Sequence, residues 1–203
     1  MKKLSLVLLS VLFLSVGVMA KGVDDGKAVY KVDPIKSKVI WTGKKVTGEH
    51  TGTVLVDNGE VHVSGESLEL ANIKMDMNSI ACTDLSGDMN QKLVGHLKSD
   101  DFFSVENHPQ AVFEATGFKA GAADGEYIVT GKLTIKGITH ELSFPATVEV
   151  NDGTVTANGT AEIDRTKYDV KYGSGKFFSG LGDKMIYDDF EIEFNLVATA
   201  EAI

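Results

Sequence analysis

Arg165 is the only arginine among 20 basic residues. Its planar, forked guanidinium is the side chain best shaped to hold a carboxylate or phosphate through two hydrogen bonds. Lys176 and His96 are candidate helpers for such an anion. The competing use is an ion pair with Asp164, Asp169 or another acid that holds a strand end, and the acidic neighbours favour it. Other chemistry-bearing residues are sparse. Histidines stand at 50, 62, 96, 108 and 140, with no His-x-His or His-x-x-x-His pair and no thiol beside them, so the spacing predicts no metal site. Cys82 is the one cysteine, which excludes an intrachain disulfide and favours a buried small apolar residue over a reactive thiol. There is no Gly-x-Ser-x-Gly elbow, phosphate loop or dinucleotide fingerprint. The acidic pairs Asp100-Asp101 and Asp188-Asp189 fall in loops or at strand starts, where solvation explains them. The expectation is a protein with no catalytic residues and no cofactor.

The elements that position these residues are strands. From Tyr127 to Ile163 three consecutive segments alternate with a period of two. Tyr127, Val129, Gly131, Leu133 and Ile135 share one face. Leu142, Phe144, Ala146, Val148 and Val150 share the next, and Val155, Ala157, Gly159, Ala161 and Ile163 the third. Polar residues fill the alternate positions, the pattern of an antiparallel sheet wetted on one side. Small barrels fill their interiors with side chains, so glycine and alanine at inward positions predict room for a ligand. Further strands are expected near 28–33, 37–46, 49–57, 60–71, 72–81, 110–120 and 189–199, with turns at Asp57-Asn58-Gly59, Asp124-Gly125, Lys136-Gly137 and Asn151-Asp152-Gly153. Such spacing predicts an all-β antiparallel meander, and the undersized inward residues suggest that it forms a barrel with room inside.

The stretch 84–104 differs in kind. Met89, Leu93 and Leu97 form one helical stripe over about 86–98, and Phe102 and Phe103 follow. This insertion is expected to cap one barrel end and be its gate, with Met89, Leu93 and Leu97 facing the barrel and Phe102 and Phe103 anchoring the return to the sheet. The glycine-rich stretch 172–182 is expected to be a rim loop. The inward candidates for a cavity are Trp41, Met75, Met77, Phe113, Tyr127, Gly131, Leu133, Phe144, Gly159, Phe190, Ile192 and Phe194.

Bulk properties narrow the class. Lys2 and Lys3, the apolar run 4–18 and the small residue Ala20 compose a secretory signal peptide over 1–20, which leaves one domain over 21–203 and no stable membrane anchor after cleavage. The formal charge of −9 becomes −11 without those two lysines, a poor match to nucleic acid or anionic lipid surfaces.

Five phrases in order resemble the YceI-like family of exported lipid-binding proteins. They are Tyr30-Lys-Val-Asp33 with Ser37-Lys-Val-Ile-Trp41, His96-Leu-Lys-Ser-Asp-Asp-Phe-Phe103, His108-Pro-Gln-Ala-Val-Phe113, Gly131-Lys-Leu-Thr-Ile-Lys-Gly-Ile-Thr139 running on to Phe144-Pro145, and Asp164-Arg-Thr-Lys-Tyr-Asp-Val-Lys-Tyr-Gly173. The resemblance implies a lipocalin-like antiparallel barrel with a short helical cap, located in the periplasm. It also implies a cavity that holds a polyisoprenoid, of quinone or polyprenyl phosphate type, or another amphiphile. Polar groups at one mouth, Arg165, Lys176 and His96, would then meet its head. Many family members carry Lys-His on the second strand; here Lys44-Lys45 stands in that place, with the nearest histidine at His50. Two other readings stay open: an envelope interaction or stress protein without a lipid, and an enzyme acting on a lipid inside the cavity. A monomer or a homodimer is expected.

Overall fold

The computed structural model describes residues 27–65 and 67–200. Among them are nine strands: β1 (Lys27–Val32), β2 (Lys38–Lys45), β3 (Gly48–Ser64), β4 (Ser67–Cys82), β5 (Gln110–Ala120), β6 (Glu126–Ile135), β7 (Ile138–Asn151), β8 (Thr154–Asp164) and β9 (Ile186–Ala200). One helix, α1 (Gly87–Lys98), lies between β4 and β5, and a short 3-10 turn covers Arg165–Tyr168. The expected signal peptide lies outside the described residues.

All pairings are antiparallel, in the order β1-β3-β2-β9-β8-β7-β6-β5-β4, and β3–β4 pairing closes the ring. The nine strands occupy eight positions, because β1 and β2 share one. The far halves of β3 and β9 pair with β1, and their near halves pair with β2. Between the two, Asp33 breaks the strand: its carboxylate accepts from the Ile35 and Lys36 amides, a local turn that competes with the ladder. The expected all-β lipocalin-like barrel with a short helical insertion is the observed fold.

Alternation decides the inside. Along β6, Val129, Gly131, Leu133 and Ile135 are buried, whereas Glu126, Ile128 and Lys132 are exposed. Hairpin chemistry sets the register. Lys136 and Gly137 join β6 to β7 with φ of 52° and 74°, and Asp152 and Gly153 join β7 to β8 with φ of 44° and 74°. Two consecutive positive φ values match the right-handed twist of the flanking strands. Val150, expected inward, is 41% exposed, because it sits beside this second turn where the barrel ends.

The segment 49–81 holds two strands rather than three. Asp57-Asn58-Gly59 does not turn; β3 runs through it, and the register against β4 slips between Val56 and Asn58. The same residues make a β-bulge, with Asn58 donating to the Asp57 carboxylate. A bulge and a turn both recruit these types because both need backbone outside the strand region. The actual reversal includes Gly65, at φ 58°. Further slips between Thr53 and Leu55 and between His62 and Val63 let these long strands bend around the ring. β9 begins at Ile186, three residues before the expected start.

Candidate functional site

The β3 start, the β4 and β8 ends, α1 and the segment 165–185 gather at one end of the barrel. Beneath them a cavity of about 240 Å³ runs inside the ring. Its walls are almost wholly apolar, from Val32, Leu68 and Val155 at the open-turn end to Leu97, Phe102 and Phe103 under the cap. Trp41, Met75, Met77, Phe113, Leu133, Phe144, Phe190, Ile192 and Phe194 all line it. Phe113, Phe144 and Phe194 form one aromatic wall, with ring centroids 5.2 and 5.5 Å apart. Phe190 and Phe103, 6.3 Å apart, extend the aromatic lining toward the cap.

Gly131, Gly159 and Tyr127 do not line the cavity. A Cβ at Gly131 would stand 2.6 Å from the Phe113 ring, and one at Gly159 would stand 2.7 Å from the Phe194 ring. Gly52 stands in the same relation to Trp41, whose indole N–H donates to the Ala81 carbonyl at 3.1 Å. Aromatic rings thus press against these glycines and take the volume expected to be empty. Tyr127 packs against the core only partly buried, near the opposite end of β6. The space comes from alanines instead: Ala111, Ala115, Ala157 and Ala161 face the cavity. Alanine on an alternating face was legible in the sequence, but which small residue a neighbouring ring covers was not.

The cap is partly as expected. Leu97 is 8% exposed and Phe102 is buried, both against the cavity. Met89 is 62% exposed, because the helix rolls so that Asn90 faces inward. The Asn90 side-chain amide donates to the Cys82 and Leu85 carbonyls. Leu93 and Val94 pack on the core without reaching the cavity. Lys98 ties the other end of the helix to β4 by donating to the Asn78 carbonyl at 2.7 Å.

The three residues expected to meet a head group are each engaged by the protein. Arg165, 4% exposed, donates from Nη1 to the Val170 carbonyl, from Nε to the Tyr187 carbonyl and from Nη2 to the Ile186 carbonyl. Asp188 lies 3.6 Å from its Nη2. Burial pulls the Arg165 pKa down, and Asp188 and Asp164 oppose that shift. Lys176 bridges Asp164 and Asp188 at 3.1 and 3.3 Å. His96 lies edge-on to Phe102 and Tyr172 and pairs with Asp101 at 3.2 Å. Arg165 and Lys176 therefore share one charge cluster, while His96 belongs to the cap. The polar side chains at the cavity wall are Lys44, Arg165, Tyr187 and Asp189. Lys44, Tyr187 and Asp189 were not anticipated, because alternation places them on the outer face.

The other histidines are dispersed: His50 pairs with Asp84 at 2.8 Å, His62 with Glu60 at 3.0 Å, and His140 bonds the Lys167 carbonyl. Cys82 is buried and its thiol donates to Asp84. Burial first, and that hydrogen bond second, push the thiol pKa up, which keeps it protonated and unreactive.

Closed antiparallel wall, helical cap and apolar interior define a lipocalin-like barrel with an internal cavity. The chain belongs to the YceI-like family: the sequence model of the YceI-like domain matches residues 30–198. The crystal structure of BcnA from Burkholderia cenocepacia superposes with a TM-score of 0.66 at 30% identity, covering 83% of this chain and 99% of that one. A polyisoprenoid binding domain from Saccharophagus degradans shares the fold, with a TM-score of 0.63 at 16% identity over 86% of this chain and 99% of that one. A UPF0312 protein from Pectobacterium carotovorum is 32% identical over 80 residues, 39% of this chain and 38% of that protein. The match to such curated relatives thus spans well under half of their length.

Proposed function

We propose that this protein is an exported binding protein that sequesters or carries an amphiphilic lipid, a polyisoprenoid of quinone or polyprenyl phosphate type, in the periplasm. The observation that carries the reading is the apolar cavity of about 240 Å³ that runs the length of the barrel. An unfilled apolar interior forfeits dispersion contacts on every lining atom, and a prenyl chain restores them. On the order of 300 Å² of buried prenyl surface, at ~25 cal/mol per Å², contributes roughly 7 kcal/mol before ordering costs. The Saccharophagus neighbour, named as a polyisoprenoid binding domain, supports the same ligand class. The lining residues that carry polar side chains all lie at the cap end, the end at which the polar head of an amphiphile would sit.

The second reading is an envelope interaction protein, and a specific observation favours it. Tyr172, Phe177 and Phe178 stand 46%, 49% and 50% exposed on the 169–185 segment, more aromatic surface than solvation alone explains. Native mass spectrometry of the protein purified from its own envelope fraction, with extraction of bound lipid, separates the two. A retained isoprenoid is expected; a repeatedly empty barrel would favour the interaction reading.

A further inference from the structure

We infer that the cargo passes through a gap in the barrel wall between β2 and β9, beside the cap rather than under it. The inference rests on the lipid-binding reading. β2 and β9 pair in step from Lys38 and Asn195 to Gly43 and Phe190, and the next pair is Lys45 with Ile186. Two steps on β2 therefore answer four on β9, and Tyr187, Asp188 and Asp189 face a single residue, Lys44. The ladder is interrupted here and resumes with Lys45 opposite Ile186 and the Val46 amide donating to the Met185 carbonyl. A wider slip, Thr53–Leu55 against Ala81–Asp76, lies between β3 and β4, so it is a recess on the outer face, together with the mismatch, that singles out this place. The reason for the mismatch lies on the β9 side, where the Ile186 and Tyr187 carbonyls accept from the Arg165 guanidinium.

Cavity and outer surface share wall residues at this point. Lys44, Tyr187, Asp189 and Phe190 line both the cavity and a recess on the outer face of β2, β8 and β9. Gly43 lies on the rim of the gap, and a Cβ there would meet nothing within 4 Å. This is the reverse of Gly52, Gly131 and Gly159, which are covered by rings. Lys44 is exposed and forms no ion pair among the described residues. By contrast the cap is fastened, through Asn90 to Cys82 and Leu85 and through Lys98 to Asn78.

The test uses the chain's single tryptophan, because Trp41 lines the cavity and a quinone bound beside it quenches its fluorescence. In a Cys82→Ser background, Lys44→Cys and Asp189→Cys are joined across the gap by a short reducible cross-linker, and decylubiquinone uptake is followed by stopped flow. Bridging is expected to slow uptake at least tenfold, and reduction to restore it. A parallel Asn78→Cys, Lys98→Cys bridge, which locks α1 to β4, is expected to leave the rate unchanged. Equal rates across the wall bridge, or an equal slowing by the helix bridge, would overturn the route. Should the double variant fold poorly, Gly43→Phe narrows the same gap and carries the same expectation. No quenching in the unbridged protein would sink the lipid-binding reading and the route with it.

Discussion

Asp84 shows how one carboxylate can organise a junction. It accepts from His50 at 2.8 Å, from the Thr51 amide at 3.1 Å and from the Cys82 thiol at 3.1 Å, joining the β3 start to the end of β4. The His50 hydrogen bond is the main reason its pKa falls to about 2. A folded-state pKa below the unfolded value contributes stability that is present above the unfolded pKa and lost as pH falls through the folded one. Between about pH 4 and pH 2 the wild-type protein should therefore lose stability more steeply than Asp84→Asn, as measured by urea denaturation across that range. Arg165 offers a second test at this scale. Lysine keeps the charge but cannot serve three carbonyls in one plane, and each buried carbonyl left without a donor costs about 1–3 kcal/mol. Arg165→Lys should destabilise by about 2–4 kcal/mol, read from the denaturation midpoint. That the sole arginine mattered was legible in the sequence. Its partners were not, because backbone carbonyls carry no sequence signature.

At the scale of elements, α1 separates packing from periodicity. A stripe of Met89, Leu93 and Leu97 is a correct helical spacing, and the helix forms at Gly87–Lys98, close to the expected 86–98. The rotation about its axis is set by what it docks on. The carbonyls of Cys82 and Leu85 need a donor, and Asn90 supplies it, turning Met89 to solvent. Leu97→Ala should cost about 2–4 kcal/mol by removing a buried side chain, whereas Met89→Ala should stay within about 0.5 kcal/mol. Paired thermal melts check the contrast. The β3–β4 pair teaches a similar point, since Asp57-Asn58-Gly59 identifies irregular backbone correctly. Whether the chain reverses there or only bulges depends on the partner strand, and β4 continues the pairing past it.

For the whole molecule, the decisive property is a ring of eight strand positions too wide to be filled by the side chains it carries. Filling it artificially separates binding from folding. Ala161 is 4% exposed and faces the cavity, so Ala161→Phe occupies space a ligand would use. A solid core would lose about 1–3 kcal/mol to such overpacking. Here lipid retention should fall severalfold with the melting temperature unchanged or raised, by native mass spectrometry and calorimetry on the same sample. Gly159→Leu is the contrasting variant: it collides with the Phe194 ring and the Pro145 carbonyl and should destabilise whether or not a ligand is bound.

The sequence by itself determined the strand class, the inward face of nearly every strand, the hairpin turns at Lys136-Gly137 and Asp152-Gly153, and the helical insertion. Each is written locally, in alternation of polarity or in residues that tolerate positive φ. Small inward residues suggested a barrel, and the ordered family phrases made it a lipocalin-like one. Tertiary structure alone decided which glycines are covered by Trp41, Phe113 and Phe194, which face α1 presents, and that Arg165 serves backbone carbonyls. It also decided where the β2–β9 ladder is interrupted, at the mismatch of Gly43–Lys45 with Phe190–Ile186. These are matters of how distant strands align. A register difference between β2 and β9, about 145 residues apart in the chain, leaves no trace in the composition of either strand.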